Sequence, residues 1–364
     1  MLARCFERFS SIANSLFFYC RLGKVRAFIL PVFLIFVLSI CFIGKKPMAI
    51  PAQLKNKLAL PAIAAPMFLV SCPDLVIEAC KAGVIGSFPA LNLRDSAGLE
   101  DWLITIKGAL KKFEEETGKT AAPYAVNLIV IPNKRLEEDL AICVKHEVPL
   151  IITSFGADPK LVEAIHSYGG LVFHDVVKGR HAKKAASIGV DGIIAVCAGA
   201  GGHSGALSPL ALIAEIRSFF DKTIILAGSV SRGQDIAAAQ MLGADMTTMG
   251  TRFIATKEAA AQIEYKKMIV DSSPDQIAYT SKISGVMANF LIPSLNQAGM
   301  DDKGNLLDSA DLDQDREAWK DVWSAGHGVG SIDSVLSTEE LVAQLKQEYL
   351  AAIEAFEVNS SKFK

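Results

Sequence analysis

The sequence predicts an α/β barrel of eight parallel strands, with a hydrophobic segment before it and a helical extension after it. Three observations carry the prediction. Eight short apolar segments alternate with helical patterns between Pro61 and Phe253. The last three of them are each followed at once by glycine-bearing sequence, as strand ends opening into loops are. The chain, 364 residues long with 51% hydrophobic residues, is large enough to bury one such barrel and an appendage.

The expected strands are Ala62–Ala65, Val84–Gly86, Tyr124–Leu128, Leu150–Thr153, Leu171–His174, Gly192–Val196, Thr223–Ala227 and Met246–Met249. Helical patterns fill the gaps at Pro73–Lys81, Arg135–Lys145, Pro159–Ser167, Gly179–Ile188, Leu210–Phe220 and Gln234–Leu242. Regular alternation of this kind implies parallel pairing, and eight units is the count of a TIM barrel, a (β/α)8 fold. Beyond the eighth strand, Lys257–Val270 reads as a helix and Thr280–Pro293 as irregular. Asp301–Asp315 reads as an acidic surface excursion, and Glu317–Trp323 and Thr338–Phe356 as helices packing outside the barrel. The domain reading is therefore 1–47 as an extension, 48–300 as the barrel and 301–364 as a helical extension lying on it.

The N-terminal extension has its own logic. Ala27–Gly44 is uncharged and mostly apolar, flanked by Arg21, Lys24 and Arg26 before and Lys45-Lys46 after. It has the threshold length for a single membrane span, with the N-terminus cytoplasmic. Met48 follows directly and opens the barrel naturally. Translation from Met48 would give a cytoplasmic protein, and translation from Met1 a membrane-anchored one.

Charge and cysteines narrow the class. Residues 1–46 hold seven Lys/Arg and one acidic residue, which leaves 30 basic and 38 acidic residues in the remainder, a formal charge of −8. An acidic body without basic clusters interleaved with aromatics argues against a nucleic-acid partner. The seven cysteines form no CxxC pair, which fits a reducing compartment; Cys197 reads as a small buried hydrophobe. No His, Cys or carboxylate spacing supports a metal, and neither GxxxxGK[ST] nor GxSxG is present.

The active site of such a barrel lies where strands end and loops lead into helices. The loops after the last two strands usually hold a phosphate there. Gly228-Ser229 and Gly250-Thr251 occupy those positions, and the helix beginning near Gly233 would add N–H donors. Of six histidines, His146, His166 and His181 fall within helical patterns, where surface or packing roles are expected. His174 ends a strand beside Asp175, where a structural and a site role are both open. His203 lies in the glycine-rich loop after the sixth strand. An imidazole at that face suits proton abstraction from a substrate carbon or hydrogen bonding to an oxyanion.

Together these segments resemble a known family. Ala65-Pro66-Met67, Asn127-Leu128, Ala200-Gly201-Gly202-His203-Ser204-Gly205, Ala227-Gly228 and Met249-Gly250-Thr251-Arg252-Phe253, in this order, are similar to the nitronate monooxygenases, formerly called 2-nitropropane dioxygenases. The resemblance covers roughly Ala62 to Gly330. It implies an FMN-bound TIM barrel that oxidises alkyl nitronates with O2 to a carbonyl compound and nitrite, without a metal. By the same resemblance Ala65, Pro66, Met67 and Asn127 would adjoin the flavin ring. Gly201, Gly202, Gly228, Ser229, Gly250 and Thr251 would hold the phosphate, and His203 falls on the catalytic histidine. The sequence departs from the family pattern at Ser229, where a second glycine is common, and at His327, where the later motif has Gln. Flavin-dependent enoyl-acyl-carrier-protein reductases and NADH:quinone reductases share this signature and remain alternatives, as does a non-catalytic, membrane-tethered flavin-binding protein.

Overall fold

In the computed structural model, residues 49–131, 134–307 and 322–363 are described. The apolar run 27–44 lies outside them, as do residues 317–321 of the expected helix and 308–315 of the acidic excursion. Among the described residues, no helix is long and apolar enough to cross a membrane.

The eight barrel strands are β1 Ala62–Ala64, β2 Ile85–Pro89, β3 Tyr124–Ile129, β4 Leu150–Ser154, β5 Leu171–Val176, β6 Gly192–Val196, β8 Thr223–Ala227 and β9 Met246–Met249. All pair in parallel, and β9 closes the barrel on β1 through Ala62–Thr247, Ile63–Thr248 and Ala64–Met249. The expected strands are all present. The interior is filled by Ile63, Ile85, Ile152, Phe173, Ile194 and Ile225, and Leu54 of α1 (Ala52–Lys55) belongs to the same cluster. Phe173 fits because Gly192 stands opposite it in register; a Cβ there would lie 2.5 Å from its ring.

Helices α2 Pro73–Ala82, α3 Ser96–Thr117, α4 Lys134–Lys145, α5 Pro159–His166, α6 Gly179–Ser187, α7 Pro209–Arg217 and α8 Gly233–Met241 follow successive strands. Their ends follow local chemistry. Asp95 caps α3 through Gly98 N–H at 2.9 Å, and Asp158 caps α5 through Lys160 N–H at 2.9 Å. Gly83 and Gly118, with φ of 92° and 67°, stop α2 and α3.

Two expectations beyond the eighth strand need correction. The helix expected at Lys257–Val270 begins only at Ile263, as α10 (Ile263–Asp271), after the one-turn α9 (Thr251–Ile254). Its first residues are drawn off into tertiary pairing, with Thr256 bridging Leu336 and Lys257 N–H donating to Leu336 O. The stretch 280–293, read as irregular, contributes to a three-stranded sheet: β10 Ile277–Thr280, β11 Ala288–Leu291 and β7 Gly202–His203. The strands are four residues or fewer, and only Ala278, Ala288 and Phe290 of them enter a local core with Leu295, which leaves little alternation to read.

Beyond α11 (Ile292–Gln297) the described chain runs to residue 307, resumes at Val322 and closes with the long helix α12, Thr338–Ser360. A capping box starts this helix: Ser337 Oγ accepts from Glu340 N–H, and Glu340 Oε2 accepts from Ser337 N–H. It packs on α8 and α2, which places it in the gap between the barrel's last and first helices. Thr338 and Leu341 are fully buried there.

Candidate active site

At the C-terminal end of the barrel strands lies a cavity of about 1260 Å³. Every residue singled out as a site residue in the sequence lines it: Ala65, Pro66 and Met67 after β1, Asn127 in β3, and Gly201, Gly202 and His203 after β6. Gly228 and Ser229 after β8, and Gly250 and Thr251 after β9, complete the set.

Each wall is fixed from behind. Ala65 N–H donates to Met249 O at 2.9 Å, and Ser71 Oγ accepts from Met67 N–H at 3.0 Å. Asn92, a residue the sequence did not point to, pins the same loop, its amide nitrogen donating to Ser71 O at 2.7 Å. Asn127 Nδ2 donates to Ile152 O at 3.0 Å and to Ser154 Oγ at 2.9 Å. Ser154 Oγ in turn donates to Asp175 Oδ2 at 2.6 Å. Burial pushes the Asp175 carboxyl up to about 6, partly offset by the Ser154 hydroxyl. The carboxyl at the edge of this cavity is thus ionised at neutrality but takes up a proton in mild acid, well above the ordinary carboxylate range.

The glycine loops interlock. A Cβ on Gly326 would lie 2.4 Å from Gly199 O and 2.9 Å from Gly201 N, so the loop after β6 and the segment 325–328 touch backbone to backbone. Gly326 N–H donates to Thr251 Oγ1 at 2.8 Å, and His327 N–H to Gly199 O at 3.0 Å. Gly326 and Gly328 line the cavity; His327 does not, and its imidazole lies against Gly199. The His327 departure therefore leaves the cavity lining to the flanking glycines. At the other departure, Ser229 has φ 55°, a left-handed backbone that explains why glycine suits the position. A serine held there carries strain of about 1 kcal/mol or more, and such strain gathers at ligand clamps.

The donor set suits a phosphate. Ser231 Oγ and Thr248 Oγ1 are buried without a hydrogen-bond partner among the described residues, and both residues line the cavity at the ends of β8 and β9. Buried hydroxyls are ordinarily satisfied, so an orphaned pair beside two glycine loops fits an absent anionic group. One expectation fails: the helix starting at Gly233 does not offer its N-terminus. Gly233 N–H donates to Glu348 Oε2 of α12 at 2.6 Å, and Asp235 takes the N–H groups of Ser231 and Arg232. The C-terminal helix has filled that end with its own carboxylate.

His203 lies in β7, held to Ala288 of β11. Its ring opens to the cavity, and burial by the surrounding walls lowers its pKa from 6.5, which favours the neutral imidazole. The Phe155 ring stands edge-on to it at 5.7 Å and 87°. Phe155 itself has φ 71°, a rare conformation for a bulky residue. Tyr279 OH donates to Ser204 O at 3.1 Å and Asn289 Nδ2 to Ala200 O at 2.7 Å, so the small sheet sets the height of the histidine loop. Phe155 stands in Ser154-Phe155-Gly156 at the end of the fourth expected strand, whereas Tyr279 and Asn289 carry no sequence motif and emerge only from tertiary packing.

The other histidines divide. His146 and His166 meet Glu100 and Asp191 on the outer face, each at 2.7 Å, as surface residues do. His174 is buried, with Nδ1 2.7 Å from Thr153 Oγ1, and its pKa is pushed down to about 4, chiefly by burial. His181, expected to be a surface or packing residue, lines the cavity, because the first turn of α6 rises at the strand-end face. Cys197 is buried and its thiol is pushed up to about 12, an inert side chain. Among the described residues, no group of His, Cys, Asp and Glu could hold a metal ion.

A closed parallel barrel whose strand-end loops meet in one cavity with a histidine has the architecture of a TIM-barrel enzyme. Residues 87–348 match the nitronate monooxygenase family, and the chain belongs to that family of oxidoreductases. It is 28% identical over 356 residues to a nitronate monooxygenase of Paraburkholderia phytofirmans, covering 81% of this chain and 93% of the relative. A nitronate monooxygenase of Neurospora crassa is 27% identical, with 58% of this chain and 64% of the relative covered, just under two thirds of its length. In three dimensions the chain is similar to nitroalkane oxidase from Streptomyces ansochromogenes, with a TM-score of 0.69 and 23% identity, covering 84% of this chain and all of the other, a likeness of fold.

Proposed function

We propose that this chain is an FMN-dependent enzyme that oxidises alkyl nitronates with O2 to a carbonyl compound and nitrite. The observation that carries the reading is the convergence of His203 and the glycine-bearing ends of β6, β8 and β9 on one cavity, in a chain of this family. Gly228, Ser229, Gly250 and Thr251, with the hydroxyls of Ser231 and Thr248, would hold the phosphate; Gly201 and Gly202 would close over it. Ala65, Pro66, Met67 and Asn127 would face the ring. When bound, FMN takes electrons from the substrate and passes them to O2.

The chain's own residues then do three things. Asn127, fixed by Ile152 O and Ser154 Oγ, presents a polar group of set orientation to the ring site. Phe155 packs edge-on against one side of the His203 ring and limits the orientations open to it. His203, neutral at pH 7 because burial disfavours its charged form, accepts a proton at a ring nitrogen from the carbon bearing the nitro group. A nitronate has already lost that proton, so only neutral nitroalkanes need the base.

An aerobic comparison tests the reading. Nitronates should give nitrite and consume O2 without NAD(P)H. Oxidation of NADH with quinones, and no reaction with nitronates, would move the chain to the reductases. We further propose that residues 1–47 are separable from the barrel, since all eight barrel strands lie after residue 61 and Ala49 is already tied to Asp245 and Thr223. Expression of residues 48–364 as a folded, yellow protein is the expected result.

A further inference from the structure

Three cavity side chains form a line of hydrogen bonds that phosphate holding and proton abstraction do not use. In β3, β4 and β5 the inward-facing residues Ala125, Ile152 and Phe173 fill the barrel. Residues two further along a strand point the same way, so Asn127, Ser154 and Asp175 form the next layer, at the floor of the cavity. On the following strand the layer is apolar again, since Ile194 of β6 stands beside Asp175 in register and also lines the cavity. Asp175 therefore finds its partner on the β4 side.

The line has one direction. Asp175 Oδ2 accepts from Ser154 Oγ at 2.6 Å, and Ser154 Oγ accepts from Asn127 Nδ2 at 2.9 Å. A carboxylate can only accept, so the single hydroxyl proton of Ser154 is committed to Asp175 and its lone pairs face Asn127. The second Nδ2 proton of Asn127 goes to Ile152 O at 3.0 Å. Two acceptors, a hydroxyl oxygen and a carbonyl oxygen, thus assign the nitrogen end of the amide to the wall. Both of its protons are used there, and Oδ1 is the atom left for the cavity.

The line also ends in a charge. Burial raises the Asp175 carboxyl to about 6 and the Ser154 hydroxyl opposes the rise, so the group is ionised at neutrality. Hydrogen bonds in series polarise one another, the more so in a low-dielectric interior. A carboxylate that draws the Ser154 proton makes Ser154 Oγ a stronger acceptor, which draws the Asn127 proton in turn and leaves more electron density on Oδ1.

We propose that Asp175 is a positioning residue for the flavin ring, acting through Ser154 to fix Asn127 with its amide oxygen toward the ring and to strengthen that oxygen as an acceptor. The effect on the ring rests on the reading of FMN in this cavity, whereas the fixed amide does not. Hydrogen bonds and charge beside a flavin tune its electronics. Electrons added to the ring meet the negative end of this line, which lowers the potential of the site and makes O2 the better acceptor of those electrons.

One arm of the test needs no cofactor. In isotope-labelled, flavin-free protein above the pH at which the carboxyl titrates, the Asn127 side-chain N–H signals in NMR should lie downfield and exchange slowly. Asp175→Asn and Ser154→Ala should each move them upfield, and Ser154→Thr, which keeps the hydroxyl, should leave them in place. Signals that ignore both of the first two changes overturn the relay. The redox arm equilibrates flavin-loaded protein with a reference dye. Asp175→Asn should shift the balance toward the reduced ring about tenfold, which is about 30 mV for a two-electron couple. Ser154→Ala should do the same, and the two changes together no more than either alone, since they act in series. Unchanged potentials in both single variants overturn the positioning role. So do shifts that simply add, because they mark a bare charge acting through space. If the protein does not bind FMN but the Asn127 signals still follow Asp175, the fixed amide stands and the cofactor reading fails.

Discussion

Gly228 and Gly250 lie at neighbouring strand ends, yet a side chain at each should act through a different physical route. Gly228 has φ 120°, and a Cβ there would lie 3.0 Å from Ala198 O, 3.1 Å from Cys197 O and 3.2 Å from Ala200 N. All three are backbone atoms of a loop anchored by Cys197 N–H to Ala227 O at 2.9 Å and Ala198 N–H to Leu207 O at 2.8 Å. The loop cannot yield cheaply, so Gly228→Ala should cost roughly 1–3 kcal/mol of stability. For a domain of this size that lowers Tm by about 2–5 °C. Gly250 has φ −97°, open to any residue, and its Cβ would meet only Met67 Sδ at 3.6 Å and Ala65 Cβ at 3.7 Å, ordinary contacts within the cavity. Gly250→Val should therefore leave the Tm of flavin-free protein within about 2 °C while its branches occupy cavity space. FMN affinity, followed by quenching of flavin fluorescence, should fall at least tenfold. A Gly250→Val protein that binds FMN like wild type would place the phosphate elsewhere, and an undisturbed Tm in Gly228→Ala would refute the steric reasoning.

Three further outcomes follow from side chains. His203→Asn should retain FMN, lose about 10²- to 10⁴-fold in turnover of neutral nitroalkanes and keep part of its nitronate turnover; equal losses on both would make His203 a positioning group. In wild type the acid limb for nitroalkanes should fall below pH 6.5, since burial lowers the His203 pKa and keeps the base neutral into mild acid. Asp175 has a folded-state pKa raised from 3.8 to about 6, so its ionisation opposes folding: the penalty is absent below 3.8 and complete above about 6. In urea unfolding of flavin-free protein, the advantage of Asp175→Asn over wild type should grow across that window, and a pH-independent difference would contradict the assignment. Leu341→Ala, at a fully buried position of α12, should cost about 2–5 kcal/mol and lower Tm by several degrees; an unchanged Tm would show that the last helix is dispensable.

The barrel was legible in the sequence because its strands are short, apolar and punctuated by glycine, and parallel strands buried on both faces need no subtler code. The cradle glycines and His203 were legible because they sit at fixed offsets from those strand ends. What the sequence hid depended on contacts between distant segments. Glu348 occupies the N-terminal end of the Gly233 helix across 115 residues of chain, and no local pattern announces it. Thr256 pairs with Leu336, so residues with helical spacing are pulled out of a helix. His181 has the surroundings of a surface residue in sequence, and only the rise of α6 at the strand-end face brings it to the cavity. Phe155 sits in a left-handed conformation that its residue type disfavours, and local propensity could not have foreseen its ring against His203.

The central claim is that the cavity binds FMN and that nitronates deliver electrons to it directly. The most direct measurement mixes flavin-loaded protein with an alkyl nitronate under anaerobic conditions and follows the visible flavin absorbance in the absence of NAD(P)H. The account predicts bleaching within the mixing experiment, followed by return of the colour and release of nitrite when O2 is admitted. Colour that persists with nitronate but is discharged by NADH would contradict it.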